Sequence, residues 1–115
     1  MSGFELQPGE AELGTWTLNY VPPAGGRYLG KLAVTNQRLL FDAQFDTSLT
    51  GVLGELFITS GSHGYLSIPK AKIEHTEVKR GFFKKKVIVT VAGKDHVFDY
   101  GMLSVAKLAS AIEGR

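Results

Sequence analysis

The chain has 115 residues, 43% of them hydrophobic and 21% charged, and a formal charge of +2 at pH 7. This length suits one domain spanning residues 1–115, and the composition excludes a disordered chain, which would have few apolar residues and a large net charge. The absence of cysteine excludes disulfides, thiolate nucleophiles and cysteine-ligated metal sites. Residues 1–10 contain two acids and no apolar run, so we expect no signal peptide and a soluble, cytoplasmic protein.

Three β-strands are predicted in the first 42 residues. From residue 12 to residue 20, apolar and polar side chains alternate with a period of two, which is typical of a strand with one buried face. Prolines and glycines at residues 22–26 end this strand, and Asn36 and Gln37 indicate a tight turn. The predicted strands are Glu12–Tyr20, Arg27–Thr35 and Arg38–Asp42.

Residues 44–64 form an insertion that permits two interpretations. Five apolar residues have the spacing of one helix face: Leu49, Val52, Leu53, Leu56 and Phe57. Gly51 and Gly54 oppose a helix, because each costs about 1 kcal/mol relative to alanine. The alternative is a hairpin in which residues 56–59 pair with residues 65–68. The five apolar side chains either pack on their own domain or form an interaction surface for a protein partner or a second copy of the chain. An open sheet edge is the other candidate surface for such protein interaction or self-association.

Three strands and a helix are predicted after Pro69. In the first of these strands, Ile73 and Val78 have opposite parity, which indicates a β-bulge. The strands are Lys72–Lys79, Lys86–Ala92 and Asp95–Tyr100. The apolar period then becomes helical, and the apolar stripe consists of Met102, Val105, Ala106, Ala109 and Ile112. We therefore expect six or seven antiparallel strands in a strongly bent sheet whose open end is covered by a C-terminal amphipathic helix.

Residues 30–41, GKLAVTNQRLLF, resemble the G-x-L-x-x-T-N-x-R-L-x-F core of GRAM domains. Residues 66–69, LSIP, followed by Ile73 are similar to a second segment of that family. The resemblance implies a pleckstrin-homology-like fold, a bent antiparallel barrel of about seven strands capped by a C-terminal helix. It also implies a noncatalytic module that binds lipid or protein. Arg38 matches the motif, but an arginine after a tight turn more often pairs with a nearby carboxylate, such as Asp42, or with the turn itself than with a ligand.

A short basic segment, residues 79–86, is the candidate site. It carries five positive charges, so the other 107 residues sum to −3. Its cations and aromatic rings are Lys79, Arg80, Phe82, Phe83, Lys84, Lys85 and Lys86. This composition is typical of a surface whose cations meet anionic headgroups while its rings enter the acyl boundary, so we predict peripheral binding to an anionic membrane lipid. Nucleic acid is a less favoured partner, because only this tip is basic.

Two structural roles compete with lipid binding for the same segment. Lysines on an edge strand block unwanted strand pairing, and a phenylalanine can fold back to cover the sheet. Catalysis, by contrast, finds no support in the residues present. The three histidines lack metal-site spacing and no G-x-S-x-G nucleophile motif occurs, so we expect a binding module with no metal, no cofactor and no enzyme activity.

Overall fold

The computed structural model describes residues 6–46, 50–60, 63–80, 85–101 and 105–114. Their strands are β1 (Glu12–Val21), β2 (Tyr28–Thr35), β3 (Arg38–Asp46), β4 (Phe57–Ser60), β5 (His63–Pro69), β6 (Ile73–Arg80), β7 (Lys85–Val91) and β8 (Lys94–Asp99). Their helices are α1 (Thr50–Leu53) and α2 (Ala106–Glu113). Two short 3-10 turns, Gly54–Leu56 and Lys70–Lys72, precede β4 and β6.

All eight strands belong to one antiparallel sheet, in the order β4-β5-β3-β2-β1-β8-β7-β6. Strand β1 pairs with β2 from Glu12 to Tyr20 and with β8 from Asn19 to Val21. It therefore joins the strands of the first half of the chain to the β6-β7-β8 meander. Strands β4 and β6 are the two edges of this sheet, and within the described residues they do not pair with each other, so the sheet is open.

The expected antiparallel β domain with one C-terminal helix is confirmed, but two details of the prediction are wrong. The sheet has eight strands where six or seven were expected, and it is an open sheet where a bent barrel was expected. The additional strand is β4, which comes from the insertion. The helix of the insertion ends after one turn, since Gly54 adopts a positive φ of 60°, and a β4–β5 hairpin follows with Phe57 opposite Leu66.

Irregular pairing explains why strand boundaries differ from those predicted. Strand β3 continues four residues beyond Asp42, because a register shift between Phe41 and Phe45 accommodates extra residues, including Gln44 at a positive φ of 55°. Such an interruption hides the strand in the sequence pattern. The bulge predicted in β6 is confirmed, since the pairing of β6 with β7 shifts between Ile73 and His75.

The core lies between the concave face of the sheet and α2. Tyr20 is fully buried there, with ring centroids 5.3 Å from those of both Phe41 and Phe98. Helix α2 buries Val105 at its start and then Leu108, Ala109 and Ile112. Three predicted members of its apolar stripe are thus buried, whereas Ala106 is exposed and Met102 lies outside the described residues. Lys70 donates hydrogen bonds to the carbonyls of Ala111 and Gly114, so a cation lies at the negative end of the helix.

The Thr-Asn-x-Arg element anchors the segment that precedes β1. Asn36 accepts a hydrogen bond from the Ala11 amide at 2.7 Å, and the Thr35 hydroxyl donates to a Glu10 carboxylate oxygen at 2.6 Å. Arg38 donates through Nε to Glu10 at 2.8 Å and through a second nitrogen at 3.1 Å. The Glu10 side chain is fully buried. Arg38 therefore has a structural carboxylate partner, as expected, but the partner is Glu10 and not Asp42.

Gly30, the first residue of the same motif, is required by packing between strands. A Cβ atom at this position would lie 2.5 Å from the Asp42 carbonyl oxygen and 2.8 Å from the ring of Phe41. Both distances are shorter than van der Waals contact, so any larger residue would force β2 and β3 apart. The motif residues Gly30, Thr35, Asn36 and Arg38 are thus each explained by contacts within the chain.

Breaking the Glu10–Arg38 pair is expected to be strongly destabilising. Burial alone would raise the pKa of Glu10, but hydrogen bonds from Arg38, Thr35 and the Gln7 amide outweigh it and hold that pKa below its usual value. Removing the guanidinium leaves a buried carboxylate without its cation, so Arg38→Met should lower the free energy of unfolding by about 3–5 kcal/mol, measured by urea denaturation at pH 7.

Arg27→Met is the matched control for this experiment. Arg27 pairs with Asp99 at 3.1 Å, but the Arg27 side chain is 56% exposed and Asp99 also accepts from the Gly101 amide at 2.8 Å, so the loss of Arg27 should cost less than the loss of Arg38. Adding Glu10→Gln to Arg38→Met should recover part of the stability, because the double variant no longer buries an unpaired charge. Equal losses for Arg38→Met and Arg27→Met would contradict the assignment.

Candidate functional site

The β6–β7 hairpin carries the basic segment at its tip. Lys79 is directly opposite Lys86, and Arg80 is directly opposite Lys85, so two adjacent rungs of the hairpin each pair two cationic residues. Like charges that face each other across a strand pair are destabilising. Phe82, Phe83 and Lys84 lie outside the described residues. Four of the seven predicted site residues are therefore placed together at the end of one hairpin.

Protection of a sheet edge accounts for only part of this charge. Strand β6 is an edge strand, so the charges of Lys79 and Arg80 would block the pairing of β6 with another chain. Strand β7 lies between β6 and β8 and has no free edge. Lys85 and Lys86 are on β7, and edge protection therefore gives no reason for their charge.

Two carboxylates lie close to the cationic rungs, and both are already engaged. Glu77 accepts from Lys79 at 2.9 Å on the exposed face of β6. Asp99 is opposite Lys86 in the register of β7 and β8, but its carboxylate accepts from Arg27 at 3.1 Å and from the Gly101 amide at 2.8 Å. The acids near the tip are thus fewer than its cations, and the hairpin end has an excess of positive charge.

The apolar residues of the insertion belong to the core and not to a surface. Leu53 is 5% exposed, and Leu56 and Phe57 are each 8% exposed. Phe57 packs against Phe45, with ring centroids 6.3 Å apart. Leu49 lies outside the described residues, and Val52 is described by its backbone in α1 alone. The predicted interaction surface therefore loses Leu53, Leu56 and Phe57, because the hairpin turns these side chains onto their own sheet.

Substitutions in the insertion should distinguish core from surface. We expect Leu53→Ala to lower the free energy of unfolding by about 2–4 kcal/mol, since it removes a buried side chain and leaves a cavity. Ile58→Ala on β4 is the control, because Ile58 is 39% exposed and its truncation should cost less than about 1 kcal/mol. Urea denaturation of both variants measures the difference, and equal effects would contradict the placement of Leu53 in the core.

A buried polar pair, Tyr20 and His96, links β1 to β8 inside the sheet. The Tyr20 hydroxyl is 2.6 Å from His96 Nδ1, and the two residues are 0% and 3% exposed. Burial raises the pKa of Tyr20, which therefore stays a neutral phenol. Burial also lowers the pKa of His96 to about 4, with the Asp95 carboxylate opposing this shift and Lys94 adding to it. The imidazole is neutral at pH 7, and no sequence pattern distinguished this histidine from the other two.

His96 should make the stability of the protein depend on pH. An unfolded histidine binds a proton near pH 6.5, whereas folded His96 resists protonation until about pH 4. Between these values the unfolded state binds more protons, so stability is lost as the pH falls through this window, by on the order of 3 kcal/mol. Thermal unfolding of the wild type between pH 7 and pH 4 should show this loss.

Histidine variants separate His96 from the other titrating groups. His96→Gln should reduce the pH dependence in this window, while His75→Gln, which replaces an exposed histidine on β6, should leave it unchanged. The carboxylate of Glu10 contributes at lower pH, since its folded pKa lies below the usual value of a glutamate. An unaltered pH profile for His96→Gln would contradict the role assigned to His96.

Charge and topology single out the basic hairpin as the candidate site. Among the described residues, no three histidine, aspartate or glutamate side chains are grouped closely enough to hold a metal ion. No helix in the same residues has the length and apolar character needed to cross a bilayer.

Comparison with known proteins informs the fold and not the function. No family model matches the chain, and no curated protein matches it. A crystal structure of the C-terminal domain of an unknown protein from Leishmania infantum is similar, with a TM-score of 0.60 and 19% sequence identity. The match covers 91% of this chain and 83% of that chain. At this identity the likeness shows a shared fold alone.

Proposed function

We propose that this chain is a noncatalytic module of the pleckstrin-homology-like GRAM type that attaches to anionic membrane lipid through residues 79–86. The observation that carries the proposal is the placement of Lys85 and Lys86 on an interior strand, opposite Arg80 and Lys79. Edge protection does not explain these two lysines, and each lies opposite a further cation. A surface of anionic headgroups would offset their mutual repulsion.

The architecture supports the pleckstrin-homology-like part of the proposal. Without β4, seven antiparallel strands remain, and one C-terminal helix packs against β1 and β2. The Thr-Asn-x-Arg motif lies at the β2–β3 turn, where it holds the chain entering β1. This is the arrangement that the resemblance to GRAM domains implies, with β4 as an addition from the insertion.

The expected membrane affinity is modest. Each cation near an acidic bilayer contributes about 1 kcal/mol, so the five cations contribute at most ~5 kcal/mol, which corresponds to sub-millimolar binding. Insertion of Phe82 and Phe83 into the acyl boundary would add roughly 1.5–3 kcal/mol each. One copy of the module would therefore bind reversibly, and its attachment would weaken as salt screens the charges.

Vesicle sedimentation tests the proposal. The wild type should bind phosphatidylcholine vesicles only when they contain phosphatidylserine, and the Lys85→Gln/Lys86→Gln variant should bind about 10- to 30-fold more weakly because two cations are lost. Phe83→Ala should weaken binding further if the ring enters the bilayer.

A second double variant controls for net charge. Lys31→Gln/Lys107→Gln removes the same charge from exposed positions on β2 and α2 and should retain binding to the acidic vesicles. Equal losses for the two double variants would contradict a localised site. Negligible binding to both vesicle types would exclude the lipid function, and salt-sensitive binding to RNA in a fluorescence-anisotropy titration would instead identify nucleic acid as the partner.

A further inference from the structure

A partly enclosed cavity of about 220 Å³ lies beside the buried His96, between the insertion and the turns that follow β1 and β7. Its apolar walls come from three separate segments and include Pro23, Leu53, Leu56 and Val91. Lys94 and His96 are the basic residues among its lining side chains. The cavity is distinct from the basic tip, because these two features lie at opposite ends of β7. The six residue-to-residue steps from Lys85 to Val91 span about 20 Å.

His96 offers this cavity a hydrogen-bond donor. Tyr20 is a buried neutral phenol, and its hydroxyl hydrogen needs an acceptor, which is His96 Nδ1 at 2.6 Å. The proton of the neutral imidazole is then on Nε2. Nε2 makes no hydrogen bond to any described residue. A fully buried nitrogen without a partner does not occur among these residues, so Nε2 is accessible at the surface. Because the His96 ring lines the cavity, that surface is the cavity wall.

The charges around the cavity favour an anion. Glu55 also lines it, but its carboxylate accepts from Lys72 at 2.6 Å, so its charge is balanced within the protein. The nearby Asp95 is engaged by the Thr90 hydroxyl at 2.7 Å. Lys94 forms no ion pair with the residues that the structure describes. A cation is therefore available where the apolar walls meet solvent.

We propose that this cavity binds a short aliphatic monocarboxylate, whose chain contacts Leu53, Leu56 and Val91 and whose carboxylate accepts from His96 Nε2 and pairs with Lys94. A chain without a charged group would leave the Nε2 proton and Lys94 unused, and a polyanion would bring further charges against apolar walls. The volume equals roughly seven water volumes, which suits an acid of about six to eight carbons and excludes a long acyl chain.

Octanoate is the probe for this site. Titration followed by NMR should give saturable binding with a Kd on the order of 0.1–1 mM, with shifts centred on Val91, His96 and the α1 segment. Octan-1-ol, which has the same chain without the charge, should bind at least threefold more weakly. The nitrogen shifts of His96 should show the proton on Nε2. A proton on Nδ1, equal affinity for octanol, or no saturable binding would overturn the proposal.

Two variants test the site without disturbing the core. Gly51 lines the cavity, and a Cβ atom added there meets no atom within 4 Å, so Gly51→Phe adds bulk at the cavity wall while the backbone remains unstrained. We expect it to weaken octanoate binding at least tenfold, with an unchanged amide spectrum elsewhere. Lys94→Gln should weaken octanoate binding about three- to tenfold and leave octanol binding unaltered. Lys107→Gln on α2 is the matched control and should change neither.

Binding of octanoate that survives Gly51→Phe would place the ligand elsewhere and overturn the site. The test is independent of the membrane function, since Lys85→Gln/Lys86→Gln should leave octanoate binding intact while it weakens attachment to acidic vesicles. Loss of octanoate binding in that tip variant would contradict two separate sites.

Discussion

The packing of Tyr20 joins the two halves of the sheet, and the rest of the structure depends on this contact. Tyr20 lies on β1 at the point where that strand pairs with both β2 and β8. Its ring contacts Phe41 on β3 and Phe98 on β8, and its hydroxyl meets His96. A smaller side chain would leave a cavity among these rings, and a side chain without a hydroxyl would leave a buried imidazole nitrogen unsatisfied. One residue thus contributes to the core of both halves and to the tautomer of His96.

A second buried polar contact has a different role. The ion pair of Glu10 and Arg38 lies on the side of the sheet where the chain enters β1, and burying two charges there is not in itself stabilising. Its effect is to select one arrangement, because Glu10 can be buried only when Arg38 and Thr35 are in place to bond it. The segment from Gln7 to Ala11 is therefore held to the β2–β3 turn by polar contacts, where an apolar contact would allow several positions.

Local patterns were sufficient to predict most strands and helices. They did not predict the contacts between residues that lie far apart in the sequence. Strands β1 and β7 and most of the buried face of α2 followed from their periodicity, and the pairing of β1 with β2 shifts register only near its start, between Glu12 and Gly14. Strand β3 was predicted too short because its bulge breaks the alternation. The partner of Arg38 was missed because Glu10 is 28 residues away, and no local rule favours it over Asp42. His96 was missed because the cavity beside it arises only when the insertion folds over the end of the sheet.

The insertion shows how two alternatives can each describe a different part of one segment. The helical spacing corresponds to one turn of helix over Thr50–Leu53, and the hairpin alternative corresponds to β4 and β5. Leu53 in α1, Leu56 in the 3-10 turn and Phe57 on β4 are core residues, and burial removes them from the surface. The same folding event closed one wall of the cavity with Leu53 and Leu56. The insertion was predicted to bind a partner through an exposed apolar face. Its buried side chains Leu53 and Leu56 line a cavity instead.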